Sequence, residues 1–371
     1  MLRLDHAYTD VVEEFKYDSF NEQYNMAFLE WRRNTDSQYV FRFSDNSLEN
    51  VYVSGAAGAK QDAGIAERES LMRCSQLIGA ALLICFVAQM AGGSLLAGLL
   101  RLFGIDLHVD FLSISKSGSQ WAVVAAKMVV VLLKYLFPTV LLIKAAKLPR
   151  RVFAPFKSSS VPMVTAGIGA GMFIAGIYAL IAQQDGIQLA QEIYTYKDTN
   201  AIAAYGIFDV LLAAALAELF LRGTVQTLLR QFGDPFAVGI TACIAFLFPN
   251  SLPDRMGELL LGLTAGYLLV RTGSIATCVL VRMTYAGLNY ARLVAVYTSR
   301  TMQLWEYALL LISIGTLALA FYVLQHRHAL RMSNRRIVLS DRKKCSALVL
   351  TVTMLPWLAV STLLTLLQCF Y

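Results

Sequence analysis

Lys127, Lys134, Asp209, Glu218, Arg222, Arg271 and Arg282 stand inside long apolar stretches of this chain. A charge at mid-bilayer costs roughly 2.5–3.5 kcal/mol on insertion scales, so such residues face a protein interior and mark something there. Glu218 and Arg222 are four apart on one helix, in the favourable order for an ion pair. Lys127 and Lys134 are seven apart and share a helix face. For these two lysines the readings are snorkelling with a buried pair, Asp209 being the partner, or a path for a substrate or ion.

Known intramembrane chemistries can be tested against the residue list. Zinc peptidases of the membrane need HExxH, which places two imidazoles one turn apart; it is absent. Serine chemistry needs a histidine inside the membrane. The histidines are His6, His108, His326 and His328, and none falls in an apolar run. An aspartyl pair needs two aspartates sharing a proton, and only Asp209 is well inside a run. The six cysteines are scattered singly, with no CxxC, which excludes a zinc knuckle or a disulfide frame. The small-residue run Gly167 to Gly176 reads as close helix packing, with a transporter's substrate site as the alternative.

One ordered set of motifs stands out. Ala217 to Gly223 reads AELFLRG, and Phe246 to Asn250 reads FLFPN. Gly262 to Tyr267 reads GLTAGY, followed by Arg271 to Ile275, RTGSI. Arg282 lies eight residues past Ser274, and Ala286 four further on. The order and spacing resemble those of the CPBP family, the intramembrane proteases of CAAX prenyl protease and bacteriocin-processing type. AELFLRG is similar to that family's EExxxRG, FLFPN stands where FxxxH is expected, and the glycine run is similar to GxxxGxxxxxTGS. Arg282 and Ala286 stand where the family has HxxxN.

The chain departs from the family at the positions that do its chemistry. Ala217 replaces the glutamate assigned to activate water, Asn250 and Arg282 replace the two histidines, and Ala286 replaces the asparagine. Glu218, Arg222, Gly223, Phe246, Gly262, Gly266 and Gly273 persist, and the glycines read as helix-packing residues. A ligand cluster for a divalent cation needs neutral imidazole or carboxylate. An arginine stays charged and repels such an ion. The expectation is a catalytically degenerate homologue with no metal, in which Arg282 pairs with Glu218 inside the former catalytic cavity and Asn250 bonds nearby. The competing arrangement has Arg222 alone neutralising Glu218 while Arg282 snorkels.

Such residues need a polytopic bundle to position them. The 371 residues are 57% hydrophobic and 15% charged, with mean hydropathy +0.55. That excludes an ordinary cytosolic enzyme, a disordered chain and a secreted disulfide scaffold. Apolar runs of spanning length lie near 75–100, 121–143, 161–183, 203–228, 235–250, 256–271, 274–294, 304–324 and 346–369, giving an all-α bundle of eight or nine spans. Trp121, Trp305 and Trp357 sit near proposed span ends, as interface anchors do. The division is an acidic tail over 1–73, transmembrane helices over 74–200, a CPBP-like core over 201–295 and C-terminal transmembrane helices over 296–371. The basic loops 144–157 and 327–344 belong on the cytoplasmic side, which also places the tail inside and the C-terminus outside. Within the tail, 10–33 suits a helix, 39–43 and 51–53 suit short paired strands, and 55–64 suits a linker.

The leading functional expectation is a CPBP-like integral membrane protein that binds a membrane protein, a hydrophobic peptide or a prenylated partner without cleaving it. No nucleic acid is expected, since the basic residues flank apolar spans. The resemblance implies the bacterial plasma membrane and a connection with bacteriocin processing or immunity. The alternatives are an active endopeptidase using Glu218, with zinc as its cofactor, and a transporter or permease component.

Overall fold

A computed structural model describes residues 21–41, 56–104, 107–110, 113–117, 120–157, 160–181, 199–248, 252–298, 304–326 and 339–370. Its helices, in chain order, are α1 (Glu22–Asn34), α2 (Ala56–Arg101), α3 (Gln120–Ala146), α4 (Arg150–Phe153) and α5 (Val161–Ile181). Then follow α6 (Asn200–Arg230), α7 (Asp234–Phe246), α8 (Leu252–Thr272) and α9 (Ile275–Thr298). α10 (Leu304–His326), α11 (Asp341–Val349) and α12 (Met354–Phe370) close the chain. The all-helical expectation holds, with one addition. Between α2 and α3 a short antiparallel hairpin pairs Leu107–Asp110 with Ser113–Ser117, and His108 stands in it opposite Lys116.

Among the described residues five helices are long and apolar enough to cross a membrane: α2, α3, α5, α6 and α10. A sixth span results if α11 and α12, bent by 89°, count as one. Three of the proposed spans, those over 235–250, 256–271 and 274–294, fall outside this set. The 235–250 run forms only the 13-residue α7, about 20 Å long against a hydrocarbon core of about 30 Å. α8 and α9 are long enough, but they carry Asp254, Arg255, Glu258 and Arg271, and Arg282 and Arg292. These arginines are buried. Their charge is turned into the bundle, which a hydropathy window cannot see.

The tail also differs from expectation. The proposed 10–33 helix is helical over its described part, α1, while 10–20 lie outside the described residues, and the 55–64 stretch is helix from Ala56, continuous with α2. Residues 39–41 form no strand, and 42–54, which include the other proposed strand, lie outside the described residues.

α1 docks on one end of the bundle and defines that face. The Trp31 indole N–H donates to Ala146 O at the end of α3, 3.2 Å. Asn21 Nδ2 donates to Val270 O near the end of α8, 3.0 Å. Arg230, ending α6, donates from Nη2 to Asn25 Oδ1 at 2.5 Å and from Nε to Asp234 Oδ1 at 2.9 Å, with Tyr24 and Phe28 rings under its guanidinium. Lys344 Nζ reaches Phe232 O on the same face, 2.9 Å. The connection from α3 to α5 and the start of α11 thus lie at one end, with six helices between them among the described residues. α6 and α8 both end there, so the two run parallel.

Candidate functional site: a buried charge cluster

α6 presents Glu218, Arg222 and Gln226 at four-residue intervals, one face of the helix. α8 presents Glu258, Gly262 and Gly266 at the same intervals. Because the helices are parallel, the two faces meet rung by rung. Gly262 lies against Ala242 and the Arg222 guanidinium; a Cβ built there would come 2.8 Å from Ala242 Cα and 3.4 Å from Arg222 Nη2. Gly266 lies against Gln226, Val238 and the same guanidinium. These two glycines leave the volume that a fully buried arginine needs. Gln226 closes the lower rung, accepting from Arg222 Nη1 at 3.2 Å and donating to Gly266 O at 2.9 Å.

At the upper rung both carboxylates converge on Arg282, which α9 delivers from a third direction. Arg282 Nε donates to Glu218 Oε1 at 2.6 Å. Its Nη1 and Nη2 donate to Glu258 Oε1 and Oε2 at 2.5 Å each, the bidentate fork of an arginine–carboxylate pair. Arg222 Nε stands 3.3 Å from Glu218 Oε2, without hydrogen-bond geometry. The tight partner of Glu218 is therefore Arg282, and Arg222 supplies a second, looser cation. The result is one continuous series across three helices: Gln226, Arg222, Glu218, Arg282, Glu258. Glu218 and Arg222 have no exposed surface, Arg282 is buried, and the Glu258 side chain is 18% exposed.

The local backbone is unusual where the motif sits. Phe208–Ala213 and Leu219–Gln226 are π-helical, a rare geometry frequently found at functional sites. The second segment contains Arg222 and Gly223. Gly223 packs against the Phe153 carbonyl of α4, so it anchors the motif helix to the α1 face.

The remaining candidates fall around this cluster. Ala217 is buried beside Glu218, and Phe246 and Ala286 are half-buried. Gly273 has φ +60°, the left-handed region that favours glycine, and lies against Tyr24 and Asn21 of the docked tail. Asn250 lies outside the described residues. Lys127 sits over the Tyr205 ring at 5.3 Å, and Lys134 sits over the Tyr135 and Phe248 rings at 5.1 and 5.2 Å. Asp209 is within electrostatic reach of Arg282, Lys127, Asp254 and Glu258.

Glu258 is the residue that sequence reading missed. It lies two residues inside the 256–271 run, where a charge reads as interfacial. The available signal was its spacing, four residues before Gly262 on the face of the glycine motif.

The donor set does not fit a divalent cation. Among the described residues no three His, Cys, Asp or Glu side chains are grouped to hold a metal ion. The two carboxylates that do converge are bridged by a guanidinium. Both Glu218 oxygens face cations, and among the described residues no imidazole accompanies it.

Residues 199–288, about a quarter of the chain, match a family model described as type II CAAX prenyl endopeptidase Rce1-like. The match runs through α6, α7, α8 and the first half of α9, and includes the whole cluster. No curated protein and no solved structure matches.

Proposed function

We propose, from the premise that residues 199–288 are a domain of the Rce1-like CAAX prenyl endopeptidase family, that this membrane protein recognises a hydrophobic or prenylated chain without cleaving it. One observation carries the reading: Arg282 engages Glu218 and Glu258 together. Water activation needs a carboxylate with a free lone pair directed at the water. The Arg282 guanidinium occupies Glu218 Oε1 and both Glu258 oxygens, and Arg222 stands against Glu218 Oε2, so cations crowd the approach a water would take and hold positive charge where a Lewis-acidic metal would have to sit. No cofactor belongs to this reading. It places the domain in an integral membrane protein with the tail on the cytoplasmic side of a bacterial plasma membrane, in keeping with the basic connections gathered at the α1 face.

The test uses the purified full chain in bilayer nanodiscs, a farnesylated CAAX-terminated peptide and its unprenylated counterpart. Binding of the farnesylated peptide is expected, with no cleavage product, whether or not a chelator is present. Cleavage that disappears in Glu218→Gln would establish an active endopeptidase instead. Failure to bind either peptide would leave the bundle without its recognition role.

A further inference from the structure

We infer that the groove between α1 and the turn joining α3 to α4 binds the phosphate of an anionic phospholipid headgroup. The groove is open, has a volume of about 530 Å³ and is walled by Trp31 and Ala27 on one side and by Lys147, Arg150 and Arg151 on the other. This volume is within the range of small-ligand sites. All three basic side chains are exposed and form no ion pair among the described residues. Glu30 is the one acid on the wall, so the groove keeps a surplus of two positive charges.

The backbone adds a second observation. Lys147 has φ 51°. It occupies the left-handed position that ends α3, with Leu148 N donating to Ile143 O at 3.0 Å and Lys147 N to Lys144 O at 3.4 Å. Glycine is the usual residue in this motif. A lysine kept in that conformation costs stability at the turn, and what it gains is a cation projecting beside the groove. Sparsely populated backbone conformations of this kind concentrate at binding sites.

The level of the groove selects a lipid over a soluble phosphate. α3 is a spanning helix, and its terminal Ala146 carbonyl receives the Trp31 indole. The groove therefore opens where α3 leaves the hydrocarbon, at headgroup depth. Five residues past Arg151, Phe156 is 85% exposed on the same connection, as a side chain facing acyl chains would be. Basic pockets at this depth bind anionic headgroups.

The test is native mass spectrometry of the full chain titrated with dioleoyl phosphatidylglycerol, with dioleoyl phosphatidylcholine and with glycerol 3-phosphate. The wild type is expected to retain one phosphatidylglycerol, bound about 25-fold more tightly than phosphatidylcholine. Arg150→Gln/Arg151→Gln should lose most of that preference, about fivefold per charge. Lys147→Gly should lose about fivefold while its melting temperature stays equal or rises, which separates a binding role from a folding one. Equal retention of the two lipids, unchanged retention in the variants, or displacement by glycerol 3-phosphate at equal concentration would each overturn the inference.

Discussion

Arg282 is held by charges on two other helices, and the consequences of removing it differ from those of removing its partners. Arg282→Met leaves Glu218 and Glu258 together with only Arg222 nearby. Breaking a buried pair by deleting one member typically costs about 3–5 kcal/mol, and that loss is expected in denaturant or thermal unfolding of the purified protein. Glu258→Gln should cost less, about 1.5–3 kcal/mol, since it removes charge-assisted hydrogen bonds from a partly exposed group and leaves Arg282 on Glu218. The Arg282→Met/Glu258→Gln double variant should be less destabilised than the sum of the two, because the pair is lost as a unit. Strict additivity would mean that the bidentate contact is energetically idle. The Glu218–Arg282 half of this arrangement could be read from the chain because motif spacing assigns both residues to one cavity. The Glu258 half could not. Nothing in the sequence announces that α6 and α8 run parallel with Glu218 and Glu258 on the same rung.

At the scale of elements, the glycines of α8 act through a guanidinium. The sequence reading gave Gly262 and Gly266 to helix packing, and the contacts agree, but the object packed includes Arg222. Gly262→Ala places a Cβ 2.8 Å from the Ala242 backbone and should cost about 1–3 kcal/mol by overpacking. Gly98→Ala is the matched control. Its Cβ meets nothing within 4 Å in α2, so its unfolding midpoint should stay level or rise slightly. A similar cost in both would point to helix geometry and away from the Arg222 contact. The second element whose role exceeded its sequence signal is α1. Its composition is polar, and its partners are 205 residues away at Arg230 and 249 away at Val270; contacts of that range leave no local periodicity. Arg230→Ala removes the Asn25 bond and the two ring contacts at once. It should raise backbone amide exchange in 22–34 well above exchange in α6, while a change confined to α6 would show that the tail is held by other contacts.

For the whole molecule, the parity argument and the contacts converge from independent starting points. The basic loops imply an even number of crossings between 157 and 327. Among the described residues six helices lie in that interval, and Ala146 before it and Lys344 after it both lie at the α1 face, through Trp31 and Phe232. Hydropathy alone undercounts this interval, because α7 is short and α8 and α9 spend their charges on one another. What sets the architecture is thus the same set of residues that sets the chemistry. A span carrying Glu258 or Arg282 is stable in a bilayer only when its partners are folded around it. That dependence makes the topology testable by labelling. In a background with the native cysteines replaced, single cysteines at Lys157 and Ser340 should react with a membrane-impermeant maleimide from one side of sealed vesicles. A cysteine at Gly104, beyond the far end of α2, should react from the other. Lys157 and Ser340 labelling from opposite sides would break the parity and, with it, the parallel pairing of α6 and α8 on which the Glu218–Arg282–Glu258 bridge depends.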